Sequence, residues 1–137
     1  MSGSLPHRRG LLDTSVFVAI EQDRPLDLGA LPLEQYVSAI TRGELLAGVH
    51  AAASAEVRAV RLATVEEIAG IATLPADSRA AAQWATLRHS LAAAGRRVNV
   101  NDLWIAAIAL AHGLPVVTQD GDFAVISEHS SLEVITV

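Results

Sequence analysis

The sequence predicts an α/β fold, a central and mostly parallel twisted sheet of about four or five strands with helices on both faces. Three observations predict it. Short apolar runs of strand length alternate with longer stretches of helical period. Turn and capping residues separate them. The segments between successive strand candidates are too long for hairpins, which implies parallel pairing through right-handed crossovers.

Taken in order, a short polar lead reaches Gly10 and the run Leu11-Leu12, a buried strand ending near Asp13, with a helical turn over Val16 to Ile20. Residues 21–32 carry Pro25, Gly29 and Pro32 and read as loop or broken helix. Gln35 to Ile40 has sheet propensity through Tyr36, Val37 and Ile40. Thr41-Arg42-Gly43-Glu44 has capping-box spacing and predicts a helix to about Ala53. Ser54 caps the next helix, in which Val57, Val60, Leu62, Val65 and Ile68 recur at near-helical spacing up to Gly70. Ile71 to Leu74 is a short strand stopped by Pro75. Asp77 or Ser78 then caps a helix with Trp84, Leu87 and Leu91 on one face, ended by Gly95. Asn99 to Asp102 starts a helix through Ala111 that is apolar almost all round and therefore central. Pro115 to Thr118 is a strand, 120–122 a turn, Phe123 to Ile126 a helical turn, and Leu132 to Val137 the last strand.

With 137 residues and 51% apolar content the chain reads as one domain, 1–137, with a sizeable core. No apolar stretch is long enough to span a bilayer and no signal-peptide pattern opens the chain, so a soluble, cytoplasmic protein is expected, without membrane partners. The absence of cysteine excludes disulfide scaffolds, thiolate metal sites and cysteine nucleophiles. A net charge of −5 argues against a large basic nucleic-acid surface. Two bound divalent cations would bring that balance to −1, which weakens the objection. All ten basic residues are Arg, whose planar forks suit phosphate, although a GC-rich genome gives the same bias.

Four acids, Asp13, Glu44, Asp102 and Asp120, stand where an apolar run stops or a helix starts. Each has an ordinary explanation. Asp13 can cap the following helix, Glu44 fits the third position of the Thr41 capping box, Asp102 suits a helix first turn, and Asp120 and Asp122 flank a turn glycine. Jointly they point to a divalent-metal site. Strand ends and helix starts converge on one crevice in open α/β sheets, carboxylate oxygens suit Mg²⁺ or Mn²⁺, and clustered carboxylates repel without a counter-ion.

Other chemistries are poorly supplied. His7, His50, His89, His112 and His129 show neither HxxH nor HExxH spacing, and Ser15 lacks a Gly-x-Ser-x-Gly elbow. Trp84 and Trp104 sit on apolar helical faces and read as core rather than base-stacking residues. Arg96 and Arg97, near Asn99 and Asp102, are placed to touch a phosphate backbone, or simply form a solvated helix end.

Leu11-Leu12-Asp13-Thr14-Ser15-Val16, Ser38-Ala39-Ile40-Thr41-Arg42-Gly43-Glu44-Leu45, Asn101-Asp102-Leu103-Trp104-Ile105-Ala106-Ala107 and Val117-Thr118-Gln119-Asp120-Gly121-Asp122-Phe123 resemble, in order, the four acidic blocks of PIN-domain ribonucleases. Length and spacing look most like the VapC toxins of toxin–antitoxin modules. The resemblance implies a PIN-like three-layer fold and Mg²⁺-dependent hydrolysis of RNA phosphodiesters, with Mn²⁺ able to substitute. Asp13, Glu44, Asp102 and Asp120 correspond to the acidic quartet, Asp122 to an auxiliary acid, and Thr14, Ser15 and Thr118 to polar neighbours. Asp13 and Asp102 are expected as principal ligands, Asp120 as a ligand or water-mediated group, and Glu44 as the residue orienting or deprotonating the water. The chemistry does not use the 2′-OH, so the choice of RNA over DNA comes from the resemblance alone. Also implied are a homodimer and a cognate VapB-type antitoxin, whose C-terminal segment crosses the acidic groove in a hetero-oligomer.

Two rivals remain. A receiver-type or haloacid-dehalogenase-type phosphatase or phosphotransfer domain also gathers acids and Mg²⁺, but needs a Lys, and the chain has none. A catalytically silent PIN-fold binding module would normally lack one of the quartet, and all four are present.

Overall fold

The computed structural model describes Arg8 to Val137; the polar lead with His7 lies outside the described residues. Five strands, β1 (Arg9–Leu12), β2 (Glu34–Ser38), β3 (Ala72–Leu74), β4 (Val116–Thr118) and β5 (Val134–Thr136), form one sheet in the order β3-β2-β1-β4-β5, and every pairing is parallel. Six α-helices connect them: α1 (Thr14–Glu21), α2 (Ala39–Ala51), α3 (Ala55–Glu67), α4 (Ser78–Ala93), α5 (Val100–Ala111) and α6 (Ala124–Glu128). Residues 21–32, expected as loop or broken helix, hold the end of α1 and a single 3₁₀ turn over Leu28–Ala30.

Alternation along the strands divides the core in two. Leu11 and Val116, paired in register, pack with α4, α5 and α6, while Leu12 and Val117, also paired, pack with Val16, Phe17 and Leu45 on the other face. The expected helix–sheet–helix layering follows. Helix α5 is the central one, with Leu103 and Ile105 to Ala109 all buried. Trp84 of α4 and Trp104 of α5 stack on each other at 5.4 Å between centroids and pack against this core, as the apolar-face reading required.

Chain order reverses on the two sides of β1, which places β2 on one flank and β4 on the other. Such a switch point opens a crevice at the carboxyl ends of the strands. Asp13 leaves β1 there, and its N–H donates to Val117 O at 2.8 Å.

Two expectations need correction. The second strand ends at Ser38, and Ser38, not Thr41, caps α2: the Thr41 N–H donates to Ser38 Oγ at 3.0 Å. Both residues fit a cap, and the sheet decides between them, because Ser38 is the last residue paired with β3 and the chain turns immediately after it. Ile40 and Thr41 are therefore helical, and α2 stops at Ala51 rather than Ala53. In α3 the periodic Val57, Val60 and Leu62 are 40%, 50% and 42% exposed, whereas Ile68 beyond the helix is buried, so the apolar stripe meets the core only at its C-terminal end.

Candidate metal centre

Asp13 is the N-cap of α1 as well as a cleft residue, so its two readings are compatible. The residue is 4% exposed. Oδ2 accepts from Ser15 Oγ at 2.7 Å, from Thr118 Oγ1 at 3.0 Å and, more weakly, from the Ser15 N–H at 3.4 Å. No described donor occupies Oδ1, which leaves one oxygen fixed in place and one available. Ser15 Oγ in turn receives the Gln119 N–H at 2.9 Å, locking the end of β1 to the end of β4.

Glu44 lies in the second turn of α2 because the helix begins at Ala39, and the capping-box role that the sequence offered it does not exist. Thr14 Oγ1 donates to Glu44 Oε1 at 2.7 Å and Asn101 Nδ2 to Oε2 at 3.4 Å. Asp102 occupies the first turn of α5, capped by Asn99, whose Oδ1 accepts from the Asn101 N–H at 2.8 Å and the Asp102 N–H at 3.3 Å. Asp120 follows β4; its Oδ1 accepts from the Asp122 N–H at 3.0 Å and shapes the turn that carries both acids.

These residues line one open cleft of about 390 Å³: Asp13, Thr14, Ser15, Glu44, Asn99, Asp102, Asp120 and Asp122 all border it, with Val18 and Arg24. Thr118 is buried and reaches the site through Asp13. The expected quartet, Asp122 and the polar neighbours are thus brought together. Arg96 and Arg97 are not in this cleft but border the adjoining depression, which shares Asn99, Asp102 and Asp122 with it.

Burial raises the Asp13 pKa above its ordinary value, Ser15 and Thr118 pull it back, and the Asp120 charge raises it again. Asp102 is pushed up to about 7, first by burial and then by the charges of Asp13, Asp122, Asp120 and Glu44. These four carboxylates act on Asp102 because they border the same cleft. Among the described residues none of the five is ion-paired, so the cluster carries uncompensated negative charge.

A hard divalent cation fits this donor set, which is all oxygen and borders one crevice. Among the described residues no three acidic or histidine side chains already close on one point as a cage. An ion that keeps several waters and takes one or two carboxylates needs no such cage.

Arg24, Asn99 and Asn101 were missed by sequence reasoning. Asn99 and Asn101 flank Asp102 closely enough to have been suspected. Arg24 carried no signal: Asp23 adopts a left-handed φ of 53°, and the Asp23 and Arg24 N–H groups donate to Ile20 O at 3.2 Å and Ala19 O at 2.8 Å, closing α1 and turning Arg24 to the cleft.

The chain matches the family model of the PIN domain over residues 10–129. It is 52% identical to Ribonuclease VapC5 of Mycobacterium tuberculosis over 128 residues, covering 93% of this chain and 95% of that one. It is 42% identical to Ribonuclease VapC4 of the same organism over 130 residues, covering 95% and 98%. Among solved structures, the crystal structure of VapBC-5 from Mycobacterium tuberculosis, a member of the VapBC family of toxin–antitoxin systems, matches with a TM-score of 0.88 at 49% identity over 95% of this chain and 99% of that one.

Proposed function

Because this chain belongs to the PIN-domain family, and within it to the VapC ribonucleases, we propose that it is the toxin of a toxin–antitoxin pair, an endoribonuclease acting through the Asp13, Glu44, Asp102 and Asp120 cluster with Mg²⁺ as its metal. The observation that carries the reading is the convergence of these acids, with Asp122, on one cleft at the switch point of the sheet. A silent binding module has no need of that uncompensated charge.

Asp13 and Asp102 would hold the ion, Asp13 through the oxygen that its hydrogen bonds leave available, with Asp120 a further ligand or a group reaching it through water. Bound there, a divalent cation lowers the pKa of water and stabilises charge building on the phosphate. Glu44, fixed through Oε1 by Thr14 and only weakly engaged at Oε2, orients the attacking water and accepts its proton. Asp122 adds negative charge at the rim. Thr14, Ser15 and Thr118 act by holding carboxylates still. Arg96 and Arg97 lie where a neighbouring phosphate of the strand would pass.

The same reading treats residues 1–137 as one PIN domain working in the cytoplasm; no helix among the described residues is long and apolar enough to cross a membrane. It also includes a homodimer and a VapB-type antitoxin whose basic side chain enters the acidic cleft, with charge complementarity as the physical support. The test is Mg²⁺-dependent cleavage of total cellular RNA by the wild type, Asp13→Asn and Asp102→Asn. Cleavage by the wild type alone is expected, and equal rates in all three would overturn the site.

A further inference from the structure

The acidic cleft continues past Asp122. The adjoining depression leads from Asn99 and Asp102 to Arg96 and Arg97, and a further cavity of about 650 Å³ shares Arg96, Arg97 and Val98 with that depression. The three adjoin in sequence through these shared residues, a trough with acids at the cluster and arginines at its far end.

We infer that the far cavity is a nucleotide subsite that takes one base of single-stranded RNA on an apolar floor, with Arg88, Arg96 and Arg97 on the flanking phosphates. The inference rests on the ribonuclease reading above. Leu91 and Leu103 form a buried floor, at 3% and 4% exposure. Val100 borders the cavity yet is 61% exposed, two residues before Asp102 in the first turn of α5. That position gives the fold little and gives an apolar ring face a surface to lie on. Cavities of this size with apolar walls and a few polar groups suit a base and its sugar.

The arginines are set by the backbone. Gly95 has a φ of +68°, its N–H donates to Ala92 O at 3.0 Å and the Arg96 N–H to Leu91 O at 2.9 Å, a closure of α4 that turns Arg96 and Arg97 to the trough. Arg88 lies 5.5 Å from the centroid of Trp84, which stacks on Trp104, so its guanidinium has a defined resting place. Among the described residues none of the three is ion-paired. In a chain of net charge −5, three arginines around an apolar floor beside the cleft complement a polyanion that must reach the acids.

The test is fluorescence anisotropy in EDTA, so that nothing is cleaved, with a fluorescein-labelled uridine dodecamer and an abasic ribose-phosphate strand of equal charge. The wild type should bind the base-bearing strand about tenfold more tightly. V100S should shrink that gap several-fold, R88A should weaken both strands, and R58A, on the exposed face of α3 away from the trough, should weaken neither. Three results would overturn the subsite: equal binding of both strands by the wild type, a gap unchanged in V100S, or R88A no weaker than R58A. A changed oligomeric state in V100S with unchanged RNA affinity would assign the cavity to a second copy of the chain and overturn it too. Mg²⁺-dependent cleavage is scored separately. Base-dependent binding without cleavage would reject the ribonuclease reading and keep the subsite, while cleavage without base preference would reject the subsite alone.

Discussion

Thr14 Oγ1 donates to Glu44 Oε1 at 2.7 Å, joining the first turn of α1 to the second turn of α2 across the cleft. Glu44 is left with one oxygen held firmly and the other bonded at 3.4 Å by Asn101. A carboxylate fixed at one oxygen presents the other at a constant angle, which is what an oriented water requires.

Thr14→Val should therefore lower kcat for RNA cleavage by about tenfold or more, the loss expected for a hydrogen bond to a charged group, with little change in KM. Thr14→Ser, which keeps the hydroxyl, should restore most of the rate. A rise in KM with kcat unchanged would show that Thr14 serves substrate binding instead.

Asp102 should oppose stability when no cation is bound. Its proton is held up to about 7 in the folded chain and leaves near the ordinary 3.8 in the unfolded one. A raised folded-state pKa contributes stability that is full below the unfolded value and is lost as pH rises through the folded value. The Tm measured in EDTA should thus fall between about pH 4 and about pH 7 and level off above, and Mg²⁺ at pH 8 should recover it. An EDTA melting curve that improves over that interval would contradict the charge cluster.

Asp102→Asn separates the two roles of the site. Removing one of several mutually repelling carboxylates should raise the metal-free Tm at pH 8 and flatten its pH dependence while abolishing RNA cleavage. Loss of both stability and activity would mean that Asp102 supports the fold.

Gly10 tests the packing beneath the site. A Cβ there would come within 2.8 Å of Val117 Cγ2 and 3.0 Å of Pro32 Cγ, in the centre of the sheet. Gly10→Ala should destabilise the fold by about 1–3 kcal/mol, read as a lower denaturation midpoint. An unchanged midpoint would show that β1 and β4 can part without cost.

Arg24 should bear on substrate and not on the fold, because its exposed guanidinium borders the cleft and is not ion-paired among the described residues. Arg24→Ala should raise KM for RNA severalfold at unchanged Tm, and more so at low salt, where an exposed cation attracts phosphate best. Equal KM values at low salt would remove Arg24 from the binding surface.

Much of this protein was written in the chain. Short apolar runs separated by helical periods pointed to a mostly parallel sheet of four or five strands and to the central α5, and the sheet has five, all parallel, because strand length and helix period are local properties that burial does not reverse. The acids were legible as a set through their flanking blocks, although each was ambiguous alone. Tertiary structure decided what local rules left tied. Ser38 and Thr41 both satisfy the pattern of a helix cap, and only the pairing of Ser38 in the sheet selects it, which frees Glu44 from a cap and gives it to Thr14. The periodic valines of α3 fit a buried face, but the helix meets the sheet at one end only. Arg24 reaches the cleft through a left-handed Asp23 that no spacing announces, and Asp102 acquires its raised pKa from burial first and then from the charges of Asp13, Asp122, Asp120 and Glu44, all of which only folding brings about. Residue types fix which groups can bind metal or phosphate; only folding fixes their distances, and charge interactions depend on distance.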